Sequence, residues 1–272
     1  MTRPIVAFIG PTIDRTEAMR YLDALYLPPA EAGAIVAAVK AHDPRAILLI
    51  DGVFAKAPAV RHKEILWALD RGCAVAGAAS IGALRAAELS PYGMIGHGLI
   101  YRWYRLTPLA DDDEVAVAMS PAEIGARALS EALINIRLTL ARAERAGIVA
   151  PAVRHELVEI ARATHFLERT WPRLLDAGRA RLGASGEAPL AGLEAWVARH
   201  AVDQKRTDAV SLLHAAASAP GFLAPPAAAP RFVLTEAWDN DLAAAGIDLS
   251  RLGAAPSGRP WLPGVQDPGD AG

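Results

Sequence analysis

Three short apolar runs constrain this chain more than any other feature: residues 5–9 (IVAFI), 46–50 (AILLI) and 74–79 (AVAGAA). Each is the length of a strand buried on both faces, and helical patterns lie between them. Each also ends in a polar or glycine-containing turn, namely Gly10-Pro11-Thr12, Asp51-Gly52 and Ala79-Ser80. Such alternation predicts βαβ units and an α/β fold, with a small parallel sheet in the N-terminal half. In such a sheet, ligands collect at the carboxyl ends of the strands, where all three turns fall.

From about residue 121 the pattern turns helical. PAEIGARALSEALINIRLTLARAERAGI predicts a long helix starting at Pro121, with further helical segments near 151–182, 188–200 and 203–218. The expected organisation is an α/β core over residues 1–120 and a helical C-terminal region over 121–218. A Pro/Ala/Gly-rich segment over 219–272 is expected to be partly disordered, with Trp261 able to dock back.

Of the 272 residues, 53% are hydrophobic and the formal net charge is −2, which fits a soluble globular core and argues against bulk nucleic acid as a partner. Cys73 is the only cysteine, so an intramolecular disulfide and a cysteine-rich zinc site are excluded. A reducing, cytoplasmic setting is the expectation. The first apolar run is too short for a secretory signal, and no run is long enough to span a membrane.

Ser80 sits between the third run and the helix that follows, in the order A-A-S-I-G. This resembles the G-x-S-x-G nucleophile elbow, with Ala78 in place of the first glycine. In an elbow the Ser80 hydroxyl is exposed and the Ile81 and Gly82 amides face an oxyanion at the helix N-terminus. The alternative is a serine that caps the helix. His62, in VRHKEILWALD, shares a face with Leu66 and Leu69 at the first turn of the preceding helix, on the same predicted rim. It is a candidate general base for Ser80 or else a core histidine. Lys63 and Glu64 project to other faces. Arg85 and Glu88, three apart, form a local ion pair, or Arg85 clamps a carboxylate or thiocarboxylate. Gly10 and Thr12 offer an amide and a hydroxyl to the same rim, without P-loop spacing.

The run Asp111-Asp112-Asp113-Glu114 is a candidate magnesium or docking site, or a solvated loop. The histidines at 155, 165, 200 and 214 lack zinc-site spacing. No metal or other cofactor is expected.

FIGPT, YLPPAEAG, LLIDGVFAKAPAVRHKEILWAL, GAASIGALRAAEL, GMIGHG and DDDEVAV, in that order over residues 5–120, resemble the core of the TfuA-like protein family. DQKRTDAVSLL near 203–213 resembles a later segment of it. The chain departs from the family pattern at Gly33-Ala34-Ile35, where GDI is usual, and at Ile81, where methionine is usual. The resemblance implies a part in thioamide formation beside a YcaO-type enzyme. It further implies release of sulfide from a thiocarboxylated ThiS-like carrier made by a ThiF-like activating enzyme.

The residues it carries over are Asp51, His62, Lys63, Glu64, Ser80, Arg85, Glu88, Asp112, Asp113 and Glu114. With the elbow reading it suggests a hydrolase in which Ser80 attacks, His62 is the base, and Ile81 and Gly82 hold the oxyanion. Arg85 or Lys63 then offsets the substrate charge, and Asp51 or Asp113 orients His62. Glu64, Glu88, Gly10, Thr12 and the acidic run complete the substrate site. The competing readings are a non-catalytic adaptor for the YcaO-type enzyme and a metal-dependent hydrolase using Asp112, Asp113 and Glu114.

Overall fold

A computed structural model describes residues 3–54, 57–108, 110–111, 113–121, 124–219, 221–225, 232–233, 235–244 and 246–247. Five strands, β1 (Ile5–Phe8), β2 (Leu25–Leu27), β3 (Ala46–Leu49), β4 (Ala74–Gly77) and β5 (Ile95–Gly96), form one parallel sheet in the order β2-β1-β3-β4-β5. The expected α/β fold is present. The three apolar runs became β1, β3 and β4, in register from Ile5 against Ala46 and from Ala46 against Ala74. The edge strands β2 and β5 have three and two residues, too few to carry a periodic signal.

Alternate residues of each strand point to opposite faces. Val6, Phe8, Ile47, Leu49 and Val75 meet α2 (Ala34–His42), α3 (His62–Asp70) and α4 (Ile81–Leu89) through Ile35, Val36, Ile65, Trp67 and Ile81. Ile5, Ala7, Ala46, Leu48, Ala74 and Ala76 meet Ala18 of α1 (Arg15–Ala18) and Ala209, Leu212 and Leu213 of α10 (Gln204–Ser218). Each large aliphatic side chain buried this way contributes about 1.5–3 kcal/mol. Thus α10, from the far end of the helical half, is a layer of the sheet domain, and an Arg206–Glu17 ion pair ties it to α1.

β5 leads through α5 (Gly98–Leu106) to a bundle of α6 (Leu133–Arg145), α7 (Pro151–Ala163), α8 (Trp171–Leu182) and α9 (Glu187–His200). Its core is built by Leu133, Ile136, Leu140, Leu157, Leu174 and Leu190. The helix expected from Pro121 begins only at Leu133. Residues 124–132 are turn and extended chain, with left-handed φ at Gly125 and Ala126. Tertiary partners override their helical pattern: the amides of Leu129 and Glu131 donate to the carbonyls of Ala118 and Arg169, and Ala118 N–H donates to Ser130 Oγ.

The described residues of the acidic run are engaged by arginines. Asp111 pairs with Arg137 and Arg162, Asp113 with Arg169, and the fully buried Glu114 with Arg137 Nε at 2.7 Å. Asp112 lies outside the described residues. The structure thus places Asp113 against Arg169 and Glu114 against Arg137. Their oxygens bind guanidinium groups from the bundle and its connections. Glu114→Ala would leave Arg137 Nε without its partner and open a cavity, while Asp111 still holds the other side of the guanidinium, so we expect a loss of about 1–3 kcal/mol, measurable by urea unfolding. An unfolding midpoint unchanged from wild type would contradict this role.

α11 (Glu236–Ala244) docks on the α3 face, with Trp238 centred 6.5 Å from Trp67 and 4.8 Å from Phe232. Trp261 lies outside the described residues. No described helix is long and apolar enough to cross a membrane.

Candidate functional site

The connection leaving β1 runs to β2 on one side and the connection leaving β3 runs to β4 on the other, so the two diverge above the β1 and β3 carboxyl ends. A doubly wound sheet opens its ligand crevice at that switch point. Two of the three turns highlighted in the sequence meet there. The Asp51 side chain, fully buried, accepts from Gly10 N–H at 2.9 Å and Thr12 N–H at 3.1 Å, while Thr12 Oγ1 donates to its other oxygen at 2.5 Å. Burial pushes the Asp51 carboxyl up from 3.8, opposed by the Lys205 charge and by the Thr12 and Gly10 hydrogen bonds.

Beside this pair lies a cavity of about 310 Å³, lined by Thr12, Ser130, Glu131, Asn135, Asp203 and Lys205 among others. The irregular stretch before α6 forms one wall and the start of α10 another. Asp203 caps α10 by accepting Arg206 N–H at 3.0 Å, and Asn135 Oδ1 accepts Gln204 N–H at 2.9 Å. Lys205 is 4% exposed and donates to Val115 O at 2.9 Å. Burial pulls its ammonium down from 10.5, against the opposing pull of Asp51, Asp203 and Glu131. Burial, reinforced by Asp203, pushes the Glu131 carboxyl up, and Lys205 opposes this.

Lys205, Glu131 and Asn135 were not singled out from sequence. The available signal was a lysine on the stripe Lys205, Ala209, Leu212, which is the buried face of α10.

Ser80 caps α4 by position but not by bond: it is 2% exposed and its side chain makes no capping hydrogen bond. The strained conformation falls one residue earlier than an elbow needs, at Ala79 with φ 67°, while Ser80 has φ −117°. Gly82 N–H approaches Ile50 O at 3.4 Å, so it does not face an oxyanion, and Ile81 is a buried core residue. These contacts set Ser80 beside the Ile50–Asp51 turn.

The other candidates are drawn elsewhere. His62 Nε2 lies 2.8 Å from Glu88 Oε2, and Arg85 binds the same oxygen at 2.7 Å and Val60 O at 3.0 Å. Glu88 follows Ser80 by eight residues, about 12 Å along a helix. The proposed Ser80–His62 pair is therefore not formed. Burial pushes the Glu88 carboxyl up, but the His62 and Arg85 bonds outweigh it and hold the group below its usual range. Lys63 donates to Val233 O at 3.1 Å and sits 5.5 Å above the Phe232 ring, tethering the C-terminal segment. Glu64 accepts the amides of Arg61 at 3.0 Å and Ile35 at 3.3 Å, closing the starts of α3 and α2. These four charged groups and His62 are parts of the scaffold around α3 and α4, not of the cavity.

Among the described residues no group of three His, Cys, Asp or Glu is arranged to hold a metal ion. The site can combine a hydroxyl on a buried carboxylate with a buried ammonium, which suits acyl transfer. Residues 51–170 match the family model of TfuA-like proteins. No curated protein matches the chain.

Proposed function

From the match of residues 51–170 to the TfuA-like family model, we propose that the chain serves YcaO-dependent thioamide formation by hydrolysing a thiocarboxylated ThiS-like carrier. The family relationship supports the YcaO-associated setting. The reaction centre is argued from one observation: Thr12 is the cavity-lining hydroxyl that is hydrogen-bonded to a buried carboxylate, at 2.5 Å from Asp51.

In this reading Thr12 Oγ1 attacks the thiocarboxyl carbon of the carrier and its proton passes to Asp51. The tetrahedral adduct collapses with cleavage of the carbon–sulfur bond, and the same proton leaves on sulfur as hydrosulfide. One water then hydrolyses the ester, restoring the Thr12 hydroxyl and releasing the carrier carboxylate and a proton. Atoms and charge balance as thiocarboxylate plus water giving carboxylate, hydrosulfide and a proton. Raising the Asp51 pKa by burial makes it a better proton acceptor than an exposed aspartate. The released sulfide would serve the YcaO-type enzyme as its sulfur source, with a ThiF-like enzyme recharging the carrier.

A second centre is favoured by the uncapped Ser80 hydroxyl beside the Ile50–Asp51 turn. Mass analysis of the thiocarboxylated carrier incubated with wild type, Thr12→Val and Ser80→Ala separates the two. We expect Thr12→Val to slow conversion by roughly 10²–10⁴-fold and Ser80→Ala to change it little. The reverse pattern moves the nucleophile to Ser80. A wild-type protein that converts no carrier yet stimulates the YcaO-type enzyme is an adaptor, and the hydrolase reading fails.

A further inference from the structure

We propose that Lys205 makes the switch-point cavity an anion site, its ammonium holding the terminal carboxylate or thiocarboxylate group of the ligand. This rests on the hydrolase reading only for the identity of the ligand, a carrier whose reactive end is such an anion. A thiocarboxylate is already negatively charged and therefore a poor electrophile, so attack on it needs a cation at the reacting group. Arg85 and Lys63, the candidates suggested by sequence, are engaged by Glu88, Val60 O and Val233 O. Lys205 is the cation among the described residues that line the cavity.

An ammonium carries three N–H donors, and Lys205 directs one to Val115 O. Among the described residues no carboxylate pairs directly with Nζ. The carboxylates that face it are each turned to other partners or less charged. Asp51, from the β3 turn, accepts from Gly10 and Thr12. Asp203, at the start of α10, accepts from Arg206 N–H and from Asn135 Nδ2. Glu131, on the stretch before α6, is shifted by burial toward its neutral form. A buried ammonium with two donors left over is costly unless an anion completes it.

Binding of thiobenzoate, with neutral benzamide as control, tests the site by titration calorimetry on wild type, Lys205→Gln and Lys205→Arg. Sulfide release from the thiocarboxylated carrier is followed with the same preparations, and thermal melts confirm that each variant is folded. The expected result is thiobenzoate binding about tenfold or more weaker in Lys205→Gln, partly kept in Lys205→Arg, with benzamide indifferent to both.

Thiobenzoate affinity unchanged in Lys205→Gln overturns the anion site, even where sulfide release continues. Lys205-dependent binding without sulfide release keeps the anion site and overturns the hydrolase. No thiobenzoate binding by the wild type overturns the site outright.

Discussion

Asp51→Asn is expected to reduce sulfide release by roughly 10³-fold, because it removes the only carboxylate bonded to the Thr12 hydroxyl among the described residues. The amide keeps the size of the carboxyl. Its oxygen can still accept the Gly10 and Thr12 amides, so the β1 turn is expected to hold. The informative part is the pH profile. With burial raising Asp51 above 3.8, the wild-type rate should climb with pH through a limb lying above the ordinary aspartate range, since only the carboxylate takes the proton. At the alkaline end the rate should fall as Lys205 deprotonates, below the usual 10.5. Asp51→Asn should erase the acid limb and keep the alkaline one. An acid limb that persists in the mutant assigns the base to another group.

What the sequence disclosed of this site follows from where its parts come in the chain. Gly10, Thr12 and Asp51 end buried runs, and a parallel sheet brings such ends to one edge whatever the rest of the chain does. The pairing of Ser80 with His62 failed for a geometric reason. Both follow strands and both open helices, but Val60, just before α3, already lies beside α4. Val60 is level with Arg85 and His62 with Glu88, so the first turn of α3 lies below the rim. Nothing in residue spacing reports how far a loop descends.

Lys205 was hidden differently. Its helix belongs by sequence to the helical half and by packing to the sheet, where Ala209, Leu212 and Leu213 cover the strands beside α1. A lysine on an apolar stripe is the one local sign that such a helix brings a charge inside. The arginines that claimed Asp111, Asp113 and Glu114 were invisible for the same reason: Arg137, Arg162 and Arg169 meet the run only once the bundle folds against it.

Gly82→Ala should have the largest effect on folding of any single methyl group near the site. A Cβ at Gly82 would collide with the Leu49 carbonyl oxygen, and one at Gly77 would collide with the Gly82 carbonyl. The first turn of α4 therefore rests on the backbone of β3 and β4 with no side chain between. Extra methylenes in a packed core cost about 1–3 kcal/mol where side chains can yield. Here the obstacle is the oxygen of a central strand, held in the ladder, so the cost should exceed about 3 kcal/mol and lower the melting temperature by roughly 10 °C. Gly192→Ala in α9, where an added Cβ meets nothing, should instead raise stability by about 0.5–1 kcal/mol. Equal melting of wild type and Gly82→Ala would mean that α4 does not approach the sheet this closely. The same glycine that completes S-x-G in an elbow motif thus has a packing role: it seats the helix deeply enough to bring Ser80 beside the Asp51 turn. An S-x-G after a buried strand is therefore informative about how close the helix lies before it is informative about a nucleophile.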